Sequence, residues 1–343
     1  MNNCRKYLVI GIIILFVGVV VFPNITADYD NVNKVSKGNN TVKTSSLPPD
    51  WYDDFDSYAV YSYLHGQGGW TAYNNDIAYS STITNFHSLS SPNSVIVEND
   101  DWMYYHFSGV NYGKWKFKFN VFTMSNSDCY CEFLLLNTYP ATQSSHISTD
   151  LIIDTITDEI KVWPEMISLP LVNDYWSTVV VEIDFESNSQ RIYYRDELLF
   201  ERDWTIGGDL NLASFVFKGQ SGPGVLYLDD CSLIGVREFQ VKSITGGLGI
   251  TVVIANVGYI DAANVHWNID AMGGILKQIH KGASGDILNL AAGEEKTVSL
   301  KPVIFGLGRL YVNVFGACRV LECEEFSFLG TEEGIQLLFL TIL

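Results

Sequence analysis

Between Trp176 and Phe200 the chain reads WSTVVVEIDFESNSQRIYYRDELLF, with Val179, Val181, Ile183 and Phe185 at every second position. Side chains alternate faces along a β-strand, so a period of two gathers these four on one face, whereas a helix would scatter them. The residues between them, Glu182, Asp184 and Glu186, then share the opposite face. Ser187-Asn188-Ser189 is a polar break, and Arg191-Ile192-Tyr193-Tyr194 resumes an extended pattern. Such a unit is a β-hairpin with one buried and one wetted face.

The same rhythm recurs along the chain. Ser94–Val97, Trp115–Phe122, Cys131–Leu136, Leu151–Asp154, Ser214–Lys218 and Val225–Leu233 are short apolar or alternating runs separated by turn residues. No amphipathic helical stretch of useful length interrupts them, so the region from about 51 to 236 is expected to be an all-β sandwich. A second rhythm starts after residue 237. Gly246-Gly247-Leu248-Gly249 opens a strand at Ile250–Ala255, and Ala263–Ile269, Lys296–Leu300, Leu310–Phe315 and Glu324–Leu329 follow. About seven strands in about 90 residues is the size of an immunoglobulin-like sandwich, expected over 237–330. Residues 331–343 are set apart as a C-terminal tail, whose apolar run Ile335–Leu343 is far too short to span a membrane as a helix and could be a last strand.

The first 27 residues have the layout of a secretory signal or an N-terminal anchor: Arg5 and Lys6, an unbroken apolar run from Tyr7 to Phe22, Pro23 and a small residue at Ala27. In either case the chain after Ala27 lies outside the cell. Residues 28–50, rich in Asn, Ser, Thr and Lys, read as a disordered linker. The whole chain of 343 residues carries 39 acidic against 21 basic residues, a formal net charge of −18. That balance argues against counterion-driven nucleic-acid binding and against electrostatic docking on anionic lipid. It suits an exported protein kept apart from its copies by self-repulsion. Cys318 and Cys323 flank a stretch that could turn a hairpin, and an oxidising exterior would allow a disulfide between them; the alternative is two separate core residues.

Three signatures between 50 and 236 resemble the concanavalin A-like, laminin-G-like jelly rolls of exported microbial proteins. They are Asp53-Asp54-Phe55-Asp56-Ser57-Tyr58 with Leu64-His65-Gly66-Gln67-Gly68-Gly69-Trp70, the hairpin Trp176–Leu199, and the closing Val225-Leu226-Tyr227-Leu228-Asp229-Asp230-Cys231-Ser232-Leu233. Ile250–Gly258 and Leu290–Glu294 resemble the adhesion-type immunoglobulin-like modules of microbial surface proteins. The resemblance implies recognition of carbohydrate or a cell surface, often without catalysis.

Three constellations are candidate sites. The acid triplet is similar to the catalytic strand of laminarinase- and lichenase-type β-glucanases; on that likeness Glu182 would be the nucleophile, Asp184 the helper and Glu186 the acid/base of a retaining glycosidase. The alternative is a solvated strand face. Asp53, Asp54, Asp56, Asp229 and Asp230 would converge if the first and last strands of such a jelly roll lie together, offering calcium an oxygen-rich site; the alternative is turn aspartates free in water. Trp102, Tyr104, Tyr105 and Tyr73, with Asn74 beside them, could stack on and hydrogen-bond a sugar, or simply pack a core. The combined reading is an exported protein that binds a polysaccharide or cell-surface glycan, with a β-glucan hydrolase and a purely structural envelope component as alternatives.

Overall fold

The computed structural model describes residues 50–139, 146–206, 208–301, 304–320, 324–338 and 340–343. The leader expected at 1–27 and nearly all of the linker expected at 28–50 lie outside the described residues. Among the described residues no helix is long and apolar enough to cross a membrane.

The chain is all-β, as the alternation requires. Its first body holds two antiparallel sheets. One runs β13 (Glu197–Asp203), β12 (Ser189–Tyr194), β11 (Trp176–Asp184), β6 (Lys114–Thr123), β15 (Leu226–Gly235), β4 (Ser94–Val97), β3 (Thr82–Thr84), with β1 (Trp51–Asp53) also on β15. The other runs β10 (Ile167–Pro170), β9 (Glu159–Val162), β8 (Ile147–Asp154), β7 (Tyr130–Leu136), β14 (Ser214–Ser221), β5 (Trp102–His106), β2 (Thr71–Ala72). The chain crosses between the sheets from β4 to β5, from β6 to β7 and from β14 to β15, which is jelly-roll winding. The inner face of β6 presents Trp115, Phe117, Phe119 and Val121, and that of β11 presents Val179, Val181 and Ile183, none more than 2% exposed. From the second sheet Phe133, Phe215 and Phe217 meet them in one core.

Trp70 sits at the centre of that core. Its indole Nε1 donates to the Asp53 carboxylate at 2.8 Å, and Tyr58 Oη donates to the same oxygen at 2.8 Å. Burial holds the Asp53 carboxyl above the ordinary carboxylate range, against the pull of these hydrogen bonds. Gly68 must be glycine: its φ is +55°, and a Cβ there would lie 1.8 Å from Tyr58 Oη.

The second body also has two sheets. One is β16 (Phe239–Thr245), β17 (Ile250–Asn256), β20 (Glu295–Leu300); the other is β19 (Ile279–Leu290), β18 (Ala262–Gly273), β21 (Gly306–Val320), β22 (Glu324–Leu338), β23 (Leu340–Ile342). Residues 331–343 are therefore no tail. Most extend β22, and β23 folds back on it with Ile342 opposite Ile335. The β21–β22 ladder places Phe326 opposite Cys318, whose buried thiol is free and lies 3.2 Å from the Ala263 carbonyl. Cys323, the partner expected for a disulfide with Cys318, lies outside the described residues.

The two bodies are pinned where β15 runs into the second. Ile234 belongs to the second core and Ile260 to the first. Gly235 permits this crossing, since a Cβ there would lie 1.7 Å from Ile260 Cδ1.

Candidate functional site

The outer face of the first sheet is read most easily in cross-strand rows. Phe122 on β6 is opposite Trp176 on β11, and Asn120 is opposite Thr178. Lys118 is opposite Val180, which is opposite Tyr193 on β12. Lys116 is opposite Glu182, which is opposite Arg191. From these rows Lys116, Lys118, Thr178, Val180 and Glu182 line an open depression of about 670 Å³, together with Trp176, Tyr193 and the turn residues Arg195 and Asp196. Arg195 and Asp196 form a left-handed turn between β12 and β13, with φ of 51° and 63°. The Arg195 amide donates to the Thr178 carbonyl at 2.9 Å, which ties the turn to the floor strand. Thr178 Oγ1 donates to Asn120 Oδ1 at 2.7 Å, so the floor's hydroxyl and amide hold each other in place.

The acid triplet separates in this setting. Glu182 lies on the floor, 3.9 Å from Lys116 Nζ, and accepts from Tyr193 Oη at 3.3 Å. Asp184 is spent on the hairpin turn: its Oδ1 accepts from the Glu186 and Ser187 amides at 2.9 and 3.3 Å. Glu186 stands beyond the strand end, exposed, and hydrogen-bonds Tyr259 of the second body, raising that phenol above its ordinary value. Glu182 and Asp184 border a smaller hollow of about 250 Å³ that Glu186 does not line. A retaining hydrolase needs two carboxyls about 5 Å apart facing one glycosidic bond, and this arrangement does not gather all three acids around one volume.

The predicted sugar-stacking aromatics divide between two faces. Trp102 and Tyr104 lie on the outer face of the second sheet, and Tyr73 stacks on Trp102 with centroids 4.0 Å apart and planes at 3°. Tyr104 and Trp102 stack at 6.1 Å, and Lys218 lies 5.4 Å above the Trp102 ring. Their ring faces are thus used on one another and on Leu134, Leu136 and Val216. Tyr105 does not join them. Strand alternation turns it to the inner face, where it packs on Trp51 at 4.3 Å and Trp70 at 5.3 Å. Asn74 sits exposed at the tip of a short 3₁₀ turn with a φ of 54°.

Beside this cluster, burial and the nearby Glu132 push the Asp150 carboxyl up to about 7, although Lys218 and Arg202 pull it down. Its Oδ1 is buried without a hydrogen-bond partner. An acid whose folded pKa exceeds its unfolded value of about 3.9 contributes fully below about pH 4 and loses that contribution as pH rises through 7. Asp150→Asn should therefore raise stability at pH 8 by roughly 1–3 kcal/mol, with no gain at pH 4. Urea unfolding at both pH values checks this, and equal gains at the two would refute it.

The five aspartates do converge, because β1 pairs with β15 and places Asp53 opposite Cys231. They do not form a ligand shell. Asp53 turns inward to Trp70, Asp56 accepts the Asn93 amide at 2.8 Å, and Asp230 accepts from Tyr52 Oη at 2.8 Å. Asp229, fully buried, accepts the Leu89 and Asp230 amides at 2.7 and 2.8 Å; burial foremost, then Asp230 and Asp56, raises it to about 8. Among the described residues no group of three or more His, Cys, Asp or Glu side chains is arranged to hold a metal ion.

Trp176, Tyr193, Lys118 and Arg195 escaped the sequence reading as site residues. The one available signal was Lys114-Trp115-Lys116-Phe117-Lys118, whose lysines share the face opposite the buried aromatics. Which strand they would lie beside was not legible.

No family model and no curated protein matches the sequence. Among solved structures the chain is similar to a sialidase, with 8% identity and a TM-score of 0.41, covering 56% of this chain and 19% of the other. It is similar to the globular domain of T. cruzi calreticulin, with 10% identity and a TM-score of 0.38, covering 54% and 87%. It is also similar to the carbohydrate recognition domain of Emp46p in its potassium-bound form, with 8% identity and a TM-score of 0.37, covering 54% and 96%. The chain thus spans about a fifth of the sialidase's length. At these scores the likeness does not extend to any site.

Proposed function

We propose that this protein binds a polysaccharide or cell-surface glycan on the outer face of its first sheet, without breaking it. The carrying observation is the depression that combines Trp176 and Tyr193 with the Thr178 hydroxyl and the charged side chains around it. Sugars present apolar C–H faces and hydroxyl edges, so a site needs an aromatic surface beside fixed polar groups. An open floor on a rigid sheet suits an extended chain lying across it. The scattering of Glu182, Asp184 and Glu186 over three separate tasks supports binding over hydrolysis. The N-terminal leader and the acidic composition support an extracellular or cell-surface setting. There the second body, read as immunoglobulin-like, would space or anchor the first.

Trp176 is half-buried, and one of its neighbours is Phe122, at 5.6 Å between centroids. Trp176→Ala should weaken glycan binding by roughly tenfold or more while leaving the melting temperature within a few degrees. A glycan panel probed with the wild type and this variant measures it. Silence of the wild type across a broad panel would sink the reading and favour a structural role.

A further inference from the structure

Residues 51–236 contain eight lysines and arginines among 25 aspartates and glutamates. Six of the eight have a carboxylate in ion-pair range. Lys114 pairs with Glu238, Lys116 with Glu182, Lys161 with Asp154, Arg191 with Glu201, Arg202 with Glu165 and Lys218 with Glu132. Lys118 and Arg195 are the two with no ion pair among the described residues, and both line the same depression. The topology explains why. Lys118 is flanked across its two ladders by Val180 and Ser232, neither of which carries charge. Arg195 is held at the rim by its turn rather than within a ladder, so no cross-strand acid reaches it.

In a body this acidic, a random cation has carboxylates on most sides. Lys118 and Arg195, neither ion-paired among the described residues, share one hollow with Asp196 and the Lys116–Glu182 pair, so three cations face two carboxylates there in a body where carboxylates outnumber cations about threefold. Resting on the glycan-binding reading above, we infer that the ligand is an acidic polysaccharide, whose carboxylate or sulfate groups lie against Lys118 and Arg195 while a ring stacks on Trp176. Charge-assisted contacts of this kind are selective, because a neutral chain would leave both cations without a counter-charge. They are also screened by salt within a Debye length of about 8 Å at physiological ionic strength.

The test uses matched pairs: polygalacturonate against its fully methyl-esterified form, and dextran sulfate against dextran. Titration calorimetry of the intact protein should show the acidic member of at least one pair bound at least tenfold more tightly. The pair that responds identifies carboxylate or sulfate as the source. That preference should largely vanish in about 0.5 M salt, where the screening length falls to a few ångströms. The double variant Lys118→Gln/Arg195→Gln should lower acidic-chain affinity by roughly five- to thirtyfold, abolish most of the acidic-over-neutral preference and leave the melting temperature unchanged. Equal binding of acidic and neutral members overturns this inference alone. Binding to no member of either pair overturns this inference, and the glycan reading falls with it only if the broad glycan panel is silent too. Single-stranded DNA bound as tightly as the acidic saccharides would also overturn it, since the site would then select charge and not sugar.

Discussion

Trp70→Ala is expected to cost about 3–5 kcal/mol of folding stability, the range for emptying a large aromatic from a packed core. Trp70 is 1% exposed, and its ring centroid lies within 6.0 Å of those of Trp51, Phe55, Tyr105, Phe215 and Phe217. These neighbours come from both sheets, so the void would open between layers that cannot close without moving strands. A second loss comes from Asp53, which would keep the Tyr58 hydroxyl and the Phe55 amide but lose the indole donor. Trp70→Phe separates the two effects. It retains most of the ring and removes the donor, and should cost roughly 1–3 kcal/mol. Urea denaturation of the three proteins gives both numbers. A Trp70→Ala midpoint equal to the wild type would mean that the core is not assembled around this residue.

The second large effect is expected at the pin between the bodies. Arg237 Nη1 and Nη2 donate to the two Asp50 oxygens at 2.7 and 2.6 Å, and Nη1 also donates to the Gly235 carbonyl at 2.6 Å. The side chains are 9% and 13% exposed. Taking one partner away leaves the other charged and buried, so Arg237→Met should cost about 3–5 kcal/mol. Replacing both in Asp50→Leu/Arg237→Met should recover most of that loss, since a buried pair roughly balances its own desolvation. A double-mutant cycle by thermal or urea unfolding measures the coupling. If the double variant is as unstable as the sum of the two singles, the pair does not act as a unit and the pin lies elsewhere.

Much of the architecture was legible in the chain because burial leaves a period-two record. Val179, Val181, Ile183 and Phe185 announced an inward face, and the structure buries all four. The Ser187–Ser189 break announced the turn between β11 and β12. Boundaries near the C-terminus were harder. Alternation persists through Ile335–Leu338 but is masked by Glu332, Glu333 and Gly334, so one strand looked like two different things. The site was less legible than the fold. Trp102 and Tyr104 were found as a cluster, yet sequence spacing could not say that Tyr73 would cover Trp102 or that Tyr105 would face inward beside Trp70. The five aspartates were expected at one end, but the donors that reach Asp53, Asp229, Asp56 and Asp230 come from Trp70, Leu89, Asn93 and Tyr52, far along the chain.

The order of side chains along the chain determined that this protein is all-β, because the alternation of apolar and polar residues is a local property that each strand carries by itself. Only the tertiary structure decided which cations lack a counter-charge. Whether Lys118 meets an acid depends on the identity of the residues across two hydrogen-bonded ladders, Val180 at 62 positions along the chain and Ser232 at 114. Pairing register is a global outcome of packing, and no window of sequence around a lysine contains it.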